Sequence, residues 1–505
     1  MVSGQRARCW ILMNFLVIDI GTSGCRAAVV SGKGEILSQS RGPISIDHPR
    51  ESFAEIDTDR LWLVVQQLIR SEVNKHPGIT FDALGISGML GYVFLDQADQ
   101  PLMPAITYAD NRATLETEEI RQLFPDEKFF AITGRKPSPL LLAPKIKWLE
   151  RHRSDTAKKL EHIIGLKDEI IRRLSGNIQT DVAHLDYSGL YNIYTGKLEP
   201  DILDALNIKP GLFAEPAPAT AIAGTLSATA AGQLGLTGGT PVISGSSDGT
   251  TAMYGAGVLD AGKAVLVSGT TDVLMLCCSP QPRNPSHVLS VNSGMLPGTY
   301  LVGGPLGLSG GSLQYFEQLL QTSVARLEKK ITALPPGSDG LLIFPGLTGE
   351  RSPYWKEYLT GAIAGLTPNH KSEHLLRAVM EGCALRILKL LDVLSQNRLH
   401  PRTLNIVGGG ANIDVWNQIR SDVCGLEIQK LSVTEATCLG TALFCMAGLD
   451  KARSLPEISG QWIKIAKRFR PNPEHTRRYK KLARLFENYI ETNSDLYQGL
   501  NEFRR

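Results

Sequence analysis

The sequence predicts an α/β fold built from two related halves, and three observations carry that expectation. The first is Phe15–Val30. Its apolar run Phe15-Leu16-Val17-Ile18 closes on Asp19, passes through Gly21-Thr22-Ser23-Gly24 and returns as Ala27-Ala28-Val29-Val30. Apolar runs of this kind suit strands buried on both faces, and two of them around a glycine turn read as a β-hairpin. The second observation is a repeat of that logic. Ala264–Val267 leads into Ser268-Gly269-Thr270-Thr271, and Val273-Leu274-Met275-Leu276 follows. The third is length: 505 residues are too many for one hydrophobic core, so two domains are expected.

Each hairpin has the chemistry of an anion cradle. Glycines let the backbone come close to a ligand, and their N–H groups ring an anion. Thr22 and Ser23 add hydroxyl donors, and Asp19 at the strand end suits a magnesium ion held through water. No Gly-Lys-Ser/Thr follows, so this is not the phosphate loop that joins a strand to a helix. Either hairpin alone also reads as an ordinary glycine turn. The pair suggests a duplicated fold closing on a nucleotide.

Composition narrows the class. Apolar content of 43% and charged content of 20% describe an ordinary globular protein. With 53 basic against 50 acidic residues, the net charge of +3 gives no reason to invoke nucleic acid or a membrane surface. The eight cysteines have no repeated spacing, and the adjacent Cys277-Cys278 suits neither a zinc site nor a disulfide framework. Reduced thiols and a cytoplasmic location are expected. No stretch of 18 uninterrupted apolar residues predicts a transmembrane helix. The opening MVSGQRARCWILM resembles a signal peptide only superficially, since Asn14 and Asp19 break its apolar stretch and no small-residue cleavage site follows. Initiation at Met13 would put the first strand at the N-terminus.

In chain order, a strand is expected at Gly34–Leu37. Asp57–Val73 reads as a helix from Leu61, Val64, Val65, Leu68 and Ile69, with Thr58 as its cap. Phe81–Ser87 is a strand with Met89-Leu90-Gly91 at its carboxyl end, and Tyr92–Leu95 is another. Arg112 begins a helix reaching about Phe124, and Leu142–His152 and Asp168–Leu174 read as helices. Leu212–Gly239, rich in Ala, Gly, Thr and Pro, looks like a crossing between domains. Val242–Asp248 repeats the order of strand, small residues and acid before a helical Gly249–Tyr254. Later come a strand at Leu341–Pro345, a long helix at His374–Leu394 and a strand at Leu404–Val407. The last runs into Gly408-Gly409-Gly410-Ala411-Asn412, where glycines between strand and helix admit an adenine ring or α-phosphate. A helix follows at Val415–Cys424. Glu435–Ala447 is a small-residue helix whose Gly440 admits close packing, and Tyr479–Phe486 reads as a surface helix.

Taken in order, DIGTSG, Tyr108–Arg112, GSSDG, SGTT, GGGAN and above all Gly361–Gly382, GAIAGLTPNHKSEHLLRAVMEG, resemble the FGGY carbohydrate kinases from about Asn14 to Phe486. That resemblance implies two actin-like (ribonuclease H-like) ATPase domains with an interdomain cleft, at residues 14–245 and 246–490, with 1–13 and 491–505 as extensions. It implies ATP and Mg2+ as cofactors and a small sugar or sugar acid as partner, with a homodimer allowed. By motif match, Asp248 is the general base that takes the proton of the attacking hydroxyl, and Asp19 orients magnesium. Thr22, Ser23, Gly269, Thr270 and Thr271 donate to phosphates, and Gly409, Gly410 and Asn412 line the adenine site. Asp110 and Arg112 bind sugar hydroxyls, with Tyr108 where the family's pattern has Trp. The plain alternatives are an N-cap for Asp248, and a cap acid with a surface ion pair for Asp110 and Arg112.

Two features depart from the pattern. Relatives of the xylulose type carry Gln-Met-His where this chain has Met89-Leu90-Gly91, and Leu90 cannot hydrogen-bond a substrate hydroxyl as that histidine would. Asp272 follows the second turn, where a carboxylate repels phosphates unless it faces away or meets magnesium. TYADNRA, GSSDG and SGLYNIYTGKLEPDIL lean towards the gluconate type. The competing reading is a nucleotide- and sugar-binding sensor on the same scaffold.

Overall fold

The computed structural model describes residues 10–22, 24–279, 282, 288–433 and 435–503. The chain divides into two compact units. The first holds the chain up to Gly257 with Asn292–Pro297 and Glu435–Ile463; the second holds Val258–Val291, Gly298–Thr434 and the chain from Lys464.

The first unit is organised by a six-stranded sheet. From one edge its strands are Ile222–Thr225, Pro241–Ile243, Ala83–Gly88, Asn14–Gly21, Gly24–Ser31 and Ile36–Gly42. Asn14–Gly21 and Gly24–Ser31 form the expected hairpin, paired from Asn14↔Ser31 to Gly21↔Gly24. Asn14–Gly21 lies parallel to Ala83–Gly88, which lies parallel to Pro241–Ile243. The residues Phe15–Ile20 are all buried because both faces of the sheet are covered. Leu16, Ile18 and Ile20 share one core with Leu61, Val65 and Ile69 of the Thr58–Lys75 helix and Ile170, Ile171 and Leu174 of the Leu166–Ser175 helix. The Ala436–Leu449 helix packs on the strands Asn14–Gly21 and Ala83–Gly88 as well.

In the second unit lie six strands of a seven-stranded sheet, in spatial order Tyr300–Leu308, Thr271–Cys278, Lys263–Ser268, Thr403–Val407, Ile428–Leu431 and Ile465–Phe469. Lys263–Ser268 pairs antiparallel with Thr271–Cys278 and parallel with Thr403–Val407, and Ile428–Leu431 continues parallel. The directions repeat those of the first sheet strand for strand. The duplication read from two turns is therefore a duplication of topology.

Several local expectations shift. The strand expected at Gly34–Leu37 is Ile36–Gly42, with Gly34 in the preceding turn. Asp57, not Thr58, caps its helix, accepting from the N–H groups of Asp59 and Arg60 at 2.9 Å. The helix expected from Arg112 begins at Thr114. Leu212–Gly239 is no crossing: it supplies an edge strand, Ile222–Thr225, and the helix Ala228–Leu234, both within the first unit. The surface helix expected at Tyr479–Phe486 is Pro473–Thr492, and it buries Tyr479, Phe486 and Ile490 against a core. Among the described residues, no helix is long and apolar enough to cross a membrane.

Candidate active site

In the first unit, the hairpin register puts Asp19 directly across from Arg26. Asp19 is only 3% exposed, and its Oδ2 lies 3.3 Å from Arg26 Nη1. Arg26 also reaches Glu435 at 3.2 Å, and Arg41 pairs with the same Glu435 at 2.5 Å. Asp19 Oδ1 has no hydrogen-bond partner among the described residues. Burial and then the charge of Asp248 push the Asp19 carboxyl up to about 7, Arg26 only partly offsetting them. A buried carboxylate with an orphaned oxygen and like-charged neighbours fits a cation site. Beside it, Arg26 and Arg41 line a cavity of about 320 Å3 with Gly24, Cys25, Gly42 and Pro43. Sequence reading missed Arg26. Its signal was its place across the hairpin from Asp19.

At the turn, the Thr22 hydroxyl lies 3.2 Å from the Tyr108 hydroxyl; Ser23 lies outside the described residues. Tyr108 is held by its N–H donating to the Leu90 carbonyl at 2.9 Å. Met89 is buried in the core, and its N–H donates to the Ile20 carbonyl at 2.7 Å. Leu90 thus stands next to the first hairpin through its backbone, while the Met89 side chain serves packing.

Asp248 is half-buried at the first position of the helix Asp248–Gly255. The N-cap alternative for it does not hold: Ser247 is the cap, its side chain accepting from the Thr250 N–H at 3.4 Å. Asp248 Oδ1 accepts from the Gly249 N–H at 2.7 Å. Burial raises the pKa of Asp248, while that amide and the charge of His184 pull it back. The helix is fixed by close packing on Ala436–Leu449. A Cβ on Gly440 would fall 2.2 Å from the Thr251 carbonyl oxygen, and one on Gly255 1.8 Å from that of Ala436. Gly440 does what its sequence position predicted.

Asp110 and Arg112 are not a surface pair; both side chains are fully buried. Asp110 accepts from the Ala54 N–H at 2.7 Å and from Arg112 Nε at 2.8 Å and Nη2 at 2.7 Å. Arg112 Nη2 also meets Glu55 at 2.7 Å, and the guanidinium lies 3.8 Å over the Phe53 ring and 4.7 Å over Trp148. Both Asp110 oxygens are used inside the protein. Arg112 Nη1 has no partner among the described residues, so Arg112 is the member of the pair with a donor to offer. Lys145, which the sequence reading passed over, donates to the Asp110 carbonyl at 3.1 Å. Burial pushes the Lys145 ammonium down to about 7, with Asp110 opposing.

In the second unit, the Gly269–Thr271 turn leans on the helix Gly310–Leu319. The Thr270 carbonyl accepts from the N–H groups of Ser309 at 2.9 Å and Gly311 at 3.0 Å. Asp272 faces inward. It is 1% exposed, accepts from the Ser309 hydroxyl at 2.8 Å and pairs with buried Arg420 at 3.6 Å. Arg420 also donates to the Ser268 hydroxyl at 2.7 Å. That pairing answers the repulsion expected of Asp272: its charge is compensated within the core. The glycine loop is stitched to the same place, since a Cβ on Gly410 would fall 2.1 Å from Ser268 Oγ. Gly409 and Asn412 are exposed, and nothing crowds Gly409 within 4 Å. The structure thus brings Asp19, Thr22, Tyr108, Leu90 and Asp248 into one unit and the Gly269–Asp272 and Gly409–Asn412 segments into the other.

Residues 14–255 match the model of the N-terminal domain of the FGGY family of carbohydrate kinases, and residues 264–449 match that of its C-terminal domain. A gluconokinase of Bacillus licheniformis is 26% identical over 505 aligned residues, covering 97% of this chain and 98% of that protein. A xylulose kinase of Bacillus subtilis (strain 168) is 27% identical over 97% of this chain and 99% of its own length. Among solved structures, ligand-bound xylulose kinase from Lactobacillus acidophilus superposes with a TM-score of 0.90 at 24% identity, covering 97% of this chain and all of that one. The last is a likeness of fold, and it agrees with the duplicated sheets.

Proposed function

The chain belongs to the FGGY family of carbohydrate kinases, and from that premise we propose that it moves the γ-phosphoryl group of ATP to a hydroxyl of a small sugar or sugar acid of the gluconate or xylulose type. Its enzyme class, a phosphotransferase with an alcohol acceptor, follows from the family. The observation that carries the residue roles is the presence in one unit of two acids, buried Asp19 with an oxygen that has no partner among the described residues and Asp248 at the start of a helix, the like charge of Asp248 raising Asp19. Asp248, at a helix start, takes the proton of the attacking hydroxyl, a role that contributes on the order of 10²–10⁴-fold. Burial raises its basicity above that of a free carboxylate. Asp19 would hold magnesium, which neutralises charge on the phosphates when bound. Thr22, Ser23 and Arg26 serve the phosphates, as do Gly269, Thr270 and Thr271. Gly409, Gly410 and Asn412 receive the base of the nucleotide. Arg112 reads the acceptor, Asp110 orients Arg112, and Leu90 presents an apolar surface where relatives of the xylulose type place a histidine.

The sensor reading rested on Leu90 and Asp272. Asp272 is taken up by Arg420 and Ser309, and the relatives above carry the names of kinases. The test is ADP release with ATP and magnesium across D-gluconate, D-xylulose, D- and L-ribulose, glycerol, erythritol and sedoheptulose. One strong acceptor is expected. Asp248→Asn should abolish turnover while ATP still binds; retained turnover removes Asp248 as base, and silence of the wild type across the panel removes the acceptor class.

A further inference from the structure

The residues least explained by phosphoryl transfer form a buried polar cluster in the first unit: Lys167, Asp168, Asp181 and His184. Their exposures are 0%, 1%, 2% and 1%. Asp168, Asp181 and His184 stand close enough together to ligate a cation. The ammonium of Lys167 already lies among them, 3.1 Å from Asp181 Oδ1 and paired with Asp168. A lysine in that place argues against a metal.

The cluster is connected to Asp248 by geometry. His184 Nδ1 lies 2.5 Å from Asp181 Oδ1. The other oxygen of Asp181 accepts from the Ser246 hydroxyl at 2.7 Å. Ser246 stands two residues before Asp248, and its carbonyl accepts from the Gly88 N–H at 3.3 Å. The loop carrying Asp248 is therefore held at one side by the end of the Ala83–Gly88 strand and at the other by Asp181. The imidazole has a tailored place: a Cβ on Gly165 would fall 2.5 Å from His184 Cδ2. Its Nε2 has no hydrogen-bond partner among the described residues.

We propose that His184 is a positioning residue for Asp248, acting through Asp181 and Ser246 and through its charge. The inference rests on the reading of Asp248 as base. The groups facing His184 are Asp181 of its own segment, Lys167 and Asp168 from the Leu166–Ser175 helix, Tyr92, whose hydroxyl donates to the His184 carbonyl at 3.2 Å, and Asp248 from the helix it begins. One lysine stands against the two carboxylates Asp168 and Asp181. Burial acts to raise the Asp181 carboxyl, but Lys167 and His184 outweigh it and hold it well below the usual range. His184 likewise opposes the burial that raises Asp248. A charge on the ring thus favours ionised Asp248, the form a base requires.

The experiment compares pH profiles of kcat for the wild-type protein, His184→Gln and Ser246→Ala, with the acceptor found by the panel. His184→Gln should move the acidic limb upward by about half to one pH unit, as expected for loss of one nearby opposite charge. Ser246→Ala should lower kcat about tenfold with the limb in place, from loss of a buried hydrogen bond to a charged partner. KM for ATP should stay within about twofold in both, because neither side chain serves the nucleotide. A purely structural His184 would lower yield or Tm and leave the limb unmoved, which overturns the proposal. Should His184→Gln not fold, Ser246→Ala decides: an unchanged kcat overturns it. Asp248→Asn separates the premises. If that variant keeps turnover, the base reading falls; if it is dead while the limb of His184→Gln stays put, only the role of His184 falls.

Discussion

The two hairpins share a topology and differ in how they treat charge. In the first, Asp19 is buried across from Arg26, keeps one oxygen without a partner and is pushed up to about 7 by burial and by Asp248. In the second, Asp272 is buried as deeply and also keeps one oxygen without a hydrogen-bond partner among the described residues, while its other oxygen meets Arg420 and the Ser309 hydroxyl. The difference lies in their neighbours: Asp19 stands with the like charges of Asp248 and Glu435 as well as with Arg26, whereas Asp272 meets an arginine and a hydroxyl. On the proposed reading, a buried carboxylate set among like charges belongs to the reacting half, and Asp272 to the frame. Duplication supplies the scaffold, and the charges set around its two buried carboxylates separate the halves.

The largest effect should come from Asp19→Asn. If Asp19 holds magnesium as proposed, its loss should lower kcat on the order of 10³-fold, the several kcal/mol a metal supplies to phosphoryl transfer. The same change removes a buried, repelled charge. Its Tm without metal should therefore equal or exceed the wild-type value, and the rise in Tm that magnesium gives the wild type should vanish. A variant that is both inactive and strongly destabilised would make Asp19 structural and break the contrast.

Asp272→Asn should behave in the opposite way. It leaves the Arg420 guanidinium buried without its counter-charge, a defect worth about 3 kcal/mol. Denaturant unfolding should show that loss, while kcat per folded molecule stays within about threefold. The double variant Asp272→Leu, Arg420→Met should recover part of it, since the two changes are coupled. A large drop in kcat with intact stability would place Asp272 at the phosphates after all.

How much of this was legible depends on the range of the interaction. Both hairpins, the helix Leu142–His152 and the glycine loop follow from local patterns of apolar runs and turns, and they stand where the sequence put them. Gly440 was readable because a glycine in a small-residue helix announces a close neighbour. What failed was long-range. Asp272 looked like a misplaced charge because Arg420 is 148 positions away (420 − 272) and nothing local names it as a partner. Arg112 read equally well as a surface residue, since its burial comes from Phe53 and Trp148. Leu212–Gly239 looked like a linker because a short edge strand with glycine and alanine carries little apolar signal. Arg26 was visible only once the hairpin's register set it across from Asp19.

The glycine loop offers a smaller test of the second half. Gly410→Ala should cost about 1–3 kcal/mol, because its methyl would strike Ser268 Oγ in the compensated cluster. Gly409→Ala meets nothing within 4 Å, so its fold should be unharmed, and KM for ATP should rise if the loop receives the nucleotide. Equal loss of stability at both positions would contradict the crowding at Ser268.

The smallest effect sharpens the first half. Thr22 is exposed and, among the described residues, has one side-chain partner, the Tyr108 hydroxyl at 3.2 Å. Thr22→Ala removes a single neutral hydrogen bond from the fold, worth about 0.5–1.5 kcal/mol at most, and less for an exposed pair. Its Tm should therefore be nearly that of the wild type. A donor lost to a phosphate acts differently: bonds to charged groups are worth about 1.5–3 kcal/mol, so kcat/KM for ATP should fall about tenfold or more. Tyr108→Phe removes the same internal bond and leaves the Thr22 hydroxyl in place. If the two variants lose the same small amount of kcat/KM, Thr22 serves Tyr108; if Thr22→Ala loses far more, its hydroxyl serves the phosphates, and the exposed turn of the first hairpin belongs with Asp19 to the reacting half.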